Sequence, residues 1–343
     1  MSPITKLFIL VLGTSCIVSA SLPWTLRAPP ASCLGPPQLW EARPSPGKGI
    51  GVYATRDLVP GDIVLSEPPI LSLTPPQFTD GVAYPLNDIS QILQSAFDAL
   101  PPQDQAEVMS LHAHMTTADK PGDELVSILR SNAYITGSSL GLFPKGARIN
   151  HSCRPNTSQY WNSYTGRRIV YANRHIEQGE EIFATYIPLL YPHEARQRRL
   201  DQYGFKCTCS ACALQEASRK ASDHRRQELA RAFAAFESHV TISVPQSVMG
   251  KRKARDNAEA SAQLVRQIEE ESLADYYIKA YHIAAIAYAK VEEWETATLW
   301  ANKAFETSRL ADPHAQSTGT RELQTLTGYL INKWNEALRD RHT

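Results

Sequence analysis

The chain lacks net charge: 35 lysines and arginines stand against 35 aspartates and glutamates. A balanced chain has no bulk electrostatic pull toward nucleic acid or anionic lipid, so direct nucleic-acid binding is not expected and partners must be recognised by shaped sites. Its short basic runs, "EARQRRL" (Glu194 to Leu200) and "KRKARD" (Lys251 to Asp256), read as solvated helix or loop surface. Long apolar runs are also missing. Beyond residue 20 nothing is apolar enough to span a bilayer, so the mature chain is expected to have no membrane span. Cysteine is rare, with six in 343 residues, and that rarity makes a cluster informative.

The start of the chain supports two readings. "KLFILVLGTSCIVSA" places a lysine before an apolar run from Leu7 to about Val18 and ends in small residues, as in a signal peptide over residues 1–20. The alternative is a tail that does not direct export. Residues 21–38 form a proline-rich linker that cannot build a regular element.

From residue 39 the pattern changes. Short β-branched runs at Ile50 to Ala54, Ile63 to Leu65 and Ile70 to Leu73, broken by Gly and Pro, read as hairpin-linked strands. Helical spacing takes over from Asn87 to Ala113, with Ile89, Leu93, Ala96 and Leu100 on one face, a break at Pro101-Pro102, then Val108 and Leu111. "DELVSILRSNAYITG" reads as a short helix entering an asparagine-bearing turn. Strand patterns return at Ser158 to Tyr160, Arg168 to Ala172 and Glu181 to Tyr186, so residues 39–213 are expected to be α+β, with a helical insertion at about 86–131. Residues 214–343 are helix-compatible throughout. Within them Tyr281, Ala284, Ala285, Tyr288, Trp294, Ala297, Ala301 and Ala304 fall where a tetratricopeptide helix pair puts its large and small residues, although an ordinary helical hairpin packed through alanines gives the same pattern.

Three cysteines crowd into "YGFKCTCSAC": Cys207, Cys209 and Cys212. They are too close together for easy mutual bridging, yet a turn through them can aim three thiolates at one cation. Cys153, far upstream in "RINHSCRPN", would complete the four ligands of a closed structural zinc site, the plainer alternative being free thiols that cluster by coincidence. Cys16 and Cys33 are left over. An even cysteine count behind a leader also admits a secreted, disulfide-stapled protein.

"GKGIGVYA" (Gly47 to Ala54), "RINHSCRPN" (Arg148 to Asn156), "EEIFATYI" (Glu180 to Ile187) and "YGFKCTCSAC" (Tyr203 to Cys212) occur in the order found in SET-domain protein methyltransferases, which the chain resembles. The layout looks closest to the SET- and MYND-domain lysine methyltransferases and their fungal relatives, where a helical domain follows the post-SET cysteines. One module is absent: Pro75 to Leu129 contains no cysteine, so there is no MYND zinc finger.

The resemblance implies a SET domain of short strands with inserted helices and a post-SET zinc site, followed by an all-α, tetratricopeptide-like domain. It implies methyl transfer from S-adenosylmethionine to a lysine side chain of a protein substrate, with further protein partners on the helical domain, and a nuclear or cytoplasmic location that competes with the secretory one suggested by the leader. The chain is expected to act as a monomer. By resemblance the cofactor is held by Lys48, Gly49, Gly51, Asn132, Asn150, His151, Tyr186 and Phe205. Tyr186 and Tyr203 carry the chemistry, and Tyr134 walls the lysine channel.

The residues also admit plainer readings. Gly49 and Gly51 permit close backbone approach but as a pair also mark an ordinary turn. Asn150 and His151 alone would read as a polar turn bonded to its own backbone. Phe205 could be simple core, and Tyr186 a strand residue with a satisfied hydroxyl. A SET-derived scaffold that has lost turnover is the competing reading of the whole. Keeping Tyr186, Asn150, His151 and four cysteines together argues against it.

Overall fold

The computed structural model describes residues 38–75, 86–117, 119, 122–236 and 241–340. The signal-peptide and linker readings lie outside the described residues, apart from Gln38. Gln38–Thr343 packs as one unit.

Three small sheets make up the first part. In the first, β1 (Trp40–Ser45) runs antiparallel to β2 (Gly49–Ala54), β2 to β10 (Glu181–Ala184), and β10 pairs in parallel with β7 (Asn150–His151). The β1–β2 turn uses Gly47 and Gly49 at φ +70° and +75°, a region glycine enters without penalty. Pro44 hides β1 from the sequence pattern. The strand tolerates it because β1 is an edge, bonded on one side only. The second sheet orders β3 (Ile63–Glu67), β9 (Arg167–Ala172) and β8 (Thr157–Asn162), and the third β4 (Leu71–Leu73), β6 (Ser139–Leu142) and β5 (Ala133–Thr136). Val52, Ala54, Val64, Val170, Ile182 and Ala184 bury the inner faces of the first two sheets in one core.

The inserted helices have a core of their own. α1 (Leu86–Asp98) and α2 (Pro102–Met109) break where the prolines stand, with Pro102 at the first helical position, where its fixed φ suits a helix start. Leu93 and Val108 are fully buried with Ile89 and Leu111, as their spacing requires. α3 (Glu124–Asn132) ends differently from the expected turn. Asn132 is its last residue, and the chain enters β5 directly, stopped by extended backbone at Ala133.

After α4 (His193–Leu200) come α5 (Glu216–Phe236), α6 (Val248–Glu270), α7 (Tyr277–Ala289), α8 (Trp294–Ala311) and α9 (Thr318–Asp340). Ala284 and Ala285 of α7 face Ala297, Ala301 and Ala304 of α8, all fully buried. Such small residues let the two helices approach closely, and Tyr281 stacks on Trp300 at 5.8 Å beside the seam.

One carboxylate joins the helices to the sheets. Glu271, just past α6, is fully buried and meets Arg225 at 2.6 Å, Arg154 at 3.1 Å and Arg226 at 3.2 Å, with the Ser222 hydroxyl donating at 2.7 Å. Arg226 of α5 goes on to donate to the Leu189 carbonyl at 2.7 Å and the Cys153 carbonyl at 3.1 Å. Burial works to raise the Glu271 pKa, but the Ser222 hydroxyl, the Arg226 charge and then Arg225 outweigh it and hold the carboxyl below its usual value.

Glu271→Ala strands buried guanidinium charge, so it is expected to cost about 3 to 5 kcal/mol, read as a lowered urea midpoint. Because the folded pKa is depressed, the wild-type advantage should be full above the ordinary glutamate value of about 4.3 and fade as pH falls through the folded value. An unchanged midpoint at neutral pH would show that the cluster does not hold the lobes.

Candidate functional site

The short strand β7 organises the site. Pairing with β10 sets Asn150 beside Phe183 and His151 beside Ala184, which aims the two polar side chains to either side of the chain crossing. Cys153 follows two residues later and is fully buried.

The four expected cysteines do converge. Their sulfurs lie within 4.8 Å of one another, Cys153 Sγ and Cys212 Sγ 3.7 Å apart, and the Cys153 N–H donates to Cys209 Sγ at 3.3 Å. All four are free thiols, which removes the disulfide-stapled alternative for this cluster. The edge of a tetrahedron of thiolates at the zinc–sulfur distance is roughly 3.8 Å, so the 3.7 Å pair already has the spacing of ligands on one ion.

The surroundings fit negative sulfur. Arg196 of α4, with only 1% of its surface exposed, keeps Nη1 on the Tyr191 carbonyl at 2.5 Å, while its Nε and Nη2 have no nitrogen or oxygen partner. Its guanidinium lies against Cys153 and Cys212, and thiolates there would accept what those donors offer. His151 agrees. Its Nδ1 accepts the Tyr186 N–H at 3.1 Å, so Nε2 carries the proton and donates to Cys153 Sγ at 3.4 Å. Burial lowers the His151 pKa to about 4, leaving the ring neutral at pH 7.

Tyr186 stands two residues beyond β10, not within the strand as the pattern predicted. Its hydroxyl donates to the Ile149 carbonyl at 2.7 Å, leaving both oxygen lone pairs available. Burial pushes the phenol far above its usual pKa, so it stays protonated. Around its ring stand Tyr203 at 5.1 Å, His151 at 5.4 Å and Phe205 edge-on at 6.4 Å.

Glu181 is the residue that sequence reasoning missed. One carboxylate oxygen holds Lys48 Nζ at 2.8 Å, the other takes Asn150 Nδ2 at 2.8 Å, and Asn150 also donates to the Ile50 carbonyl at 3.2 Å. The glycine turn, the strand and the asparagine are thus locked together. A Cβ at Gly51 would lie 2.5 Å from Glu181 Oε1 and 3.1 Å from Asn150 Nδ2, so a larger residue there would have to displace this pair. At Gly47 and Gly49 a Cβ would meet nothing within 4 Å, so that face of the turn is open. In the sequence, Glu180-Glu181 at the head of a strand looks like ordinary solvated charge.

Tyr134, in β5, lines a cavity of about 170 Å³ with Phe143, Trp161 and Arg168. The Arg168 guanidinium lies 3.1 Å over the Tyr134 ring, and this buried arginine was also not foreseen. The Arg168 charge acts on Tyr186, and the Tyr203 ring stands 5.1 Å from the Tyr186 ring, so Arg168, Tyr134, Tyr186 and Tyr203 share one neighbourhood. Asn132 offers this neighbourhood no donor: its amide hydrogens go to the carbonyls of His112 at 2.7 Å and Ile128 at 2.8 Å.

Residues 49–187, which hold strands β2 to β10 and the Tyr186 segment, match the SET domain family. The chain is similar to the histone-lysine N-methyltransferase set5 of Schizosaccharomyces pombe, at 32% identity over 195 residues and 56% of each chain. It is also similar to the N-lysine methyltransferase SMYD2 of Gallus gallus, 42% over 80 residues, covering 23% of this chain and 18% of that one. With the histone-lysine N-methyltransferase SMYD3 of Mus musculus it shares 38% over 86 residues, 25% and 20% of the two chains. The matches therefore span about half the length of the yeast relative and about a fifth of the other two.

Purified protein is expected to carry one divalent ion per chain by elemental analysis. Cys153→Ser should release it and loosen the segment around Cys207 to Cys212, far away in sequence, seen as faster hydrogen exchange there. Full metal content in that variant would remove Cys153 from the ligand set.

Proposed function

We propose that the chain transfers a methyl group from S-adenosylmethionine to the side-chain amine of a protein lysine. The observation that carries this is the Tyr186 hydroxyl, buried, neutral and donating to a backbone carbonyl, with its lone pairs left for an incoming amine. The SET-domain match and the lysine methyltransferase relatives support it.

The residues fit that cosubstrate. The open face at Gly49 admits a bulky nucleoside, the half-buried Phe205 offers an aromatic face to a flat base, and Lys48 and Asn150 surround the turn with polar groups. When bound, its sulfonium supplies an electrophilic methyl carbon. The amine lone pair forms the new C–N bond as the C–S bond breaks and its electron pair stays on sulfur.

A free lysine has a pKa near 10.4, so presenting its amine neutral at pH 7 costs about 4 to 5 kcal/mol. Tyr134, Tyr203 and Phe143 line the approach with rings that exclude water, and the Arg168 guanidinium over Tyr134 adds positive charge beside it. Both effects favour the neutral amine. Tyr186 then orients its N–H bonds, and the carbonyl of Ile149 fixes Tyr186. On this reading the four cysteines hold a structural zinc that fixes Tyr203 and Phe205 beside the cofactor. Residues 39–213 form the catalytic domain, and 214–343 a tetratricopeptide-like lobe that walls the substrate groove and takes protein partners; the alanine-packed pair α7 and α8 supports this.

Tyr186→Phe keeps the ring and removes one oxygen. S-adenosylmethionine affinity by calorimetry should stay within error, while methyl transfer to protein in a cell extract, followed by label, should fall on the order of 10²- to 10³-fold. A variant that binds normally and transfers at the wild-type rate returns Tyr186 to the role of a strand-end residue. Wild-type protein that binds the cosubstrate and labels nothing would favour the scaffold reading.

A further inference from the structure

A second group, lining a cavity that Tyr186 also lines, has no role in the reaction just described. Asp275 lies in the turn between α6 and α7. Its carboxylate lines two cavities that also share Thr185: one of about 490 Å³ bounded by Ser158, Tyr171 and Leu310, the other of about 330 Å³ bounded by Tyr186, Pro188 and Tyr276. Because the two share a floor, they form one cleft running from the Tyr186 segment outward between the sheets and the helical lobe.

The carboxylate is held but not neutralised. Ser158 Oγ accepts from Asn173 Nδ2 at 3.1 Å, so its own proton is free to go to Asp275 Oδ1. The other oxygen takes no hydrogen bond from the described residues. Glu181, by contrast, is paired with Lys48 and Glu271 with three arginines. Among the described residues no lysine or arginine comes within ion-pair distance of Asp275. The residue is exposed to solvent yet surrounded by protein, as befits the floor of a cleft, and that surrounding pushes its carboxyl up from the usual aspartate value. A cation from outside would reverse that cost.

We propose that Asp275 binds a basic side chain flanking the target lysine, making this cleft a reader of arginine or lysine next to the methylated position. The neighbouring target lysine rests on the methyltransferase reading; the cation site itself does not. The Ser158 hydroxyl holds one carboxylate oxygen and leaves the other to accept a charge-assisted hydrogen bond from a guanidinium. Thr185 adjoins Tyr186, so the site and the reacting amine can be occupied by one peptide.

The test uses the full chain and fluorescein-labelled peptides with a central lysine and a single arginine scanned across the flanking positions, each compared with the same peptide carrying neutral citrulline. At one offset, wild-type protein should bind the arginine peptide on the order of tenfold tighter than the citrulline peptide, by fluorescence anisotropy. Asp275→Asn retains an acceptor for Ser158 and should bind both equally while melting at the wild-type temperature. Wild-type protein indifferent to arginine at every offset, or a folded D275N that keeps the preference, overturns the assignment. Methyl transfer to the same peptides separates the two ideas. Arginine preference without transfer leaves the Asp275 site standing and removes the proposed activity, whereas transfer without preference does the reverse.

Discussion

The geometry of the site depends on where Cys153 is held. That residue sits three positions after Asn150 and two after His151, on a chain that has just left the parallel pairing of β7 with β10. Its sulfur joins the other three thiols, its carbonyl is held by Arg226, and its neighbour His151 bridges its sulfur to the backbone of Tyr186. A shift at Cys153 would therefore move the thiol cluster, the Tyr186 segment and the helical lobe together. Among the described residues nothing else couples these parts so directly.

Charge explains why the coupling is built from arginines. Four thiolates on a divalent cation leave an excess of negative charge in a buried place, which is costly without compensation. Arg196 approaches the cluster from α4 with two donors that find no nitrogen or oxygen, and Arg226 approaches from α5, itself balanced by Glu271. The helices after residue 214 thus supply part of the electrostatic shell around the cysteines as well as apolar packing.

Much of this was legible beforehand, for identifiable reasons. The four cysteines and the break at Pro101-Pro102 were readable because thiol chemistry and proline geometry leave few alternatives. β1 was hidden by Pro44, and β7 by its length of two residues, too short for any period to register. Asn132 gives its amide hydrogens to two carbonyls, one a helical turn back and one on His112, bonds that a sequence does not advertise. Glu181, Arg168 and Asp275 went unread for a common reason. Each is a charged residue whose importance lies in what long-range folding places beside it, and solvated surface is the ordinary reading of such residues.

The arrangement also constrains what a metal held by the four cysteines could do. Four sulfur ligands would complete a tetrahedron and leave no position for an activated water or a polarised substrate oxygen, so such a centre would act through structure. The polar chemistry must then come from groups that keep free lone pairs near the cleft. Tyr186 keeps two because its proton is committed to Ile149, and Asp275 keeps an oxygen because Ser158 occupies only the other. The two differ in charge, and that difference sorts their partners. The neutral phenol, in a ring of aromatics beside Arg168, favours an uncharged amine, whereas the anionic carboxylate in the open cleft favours a cation. A peptide bearing both kinds of basic group has one arrangement in which each meets the environment that suits its protonation state.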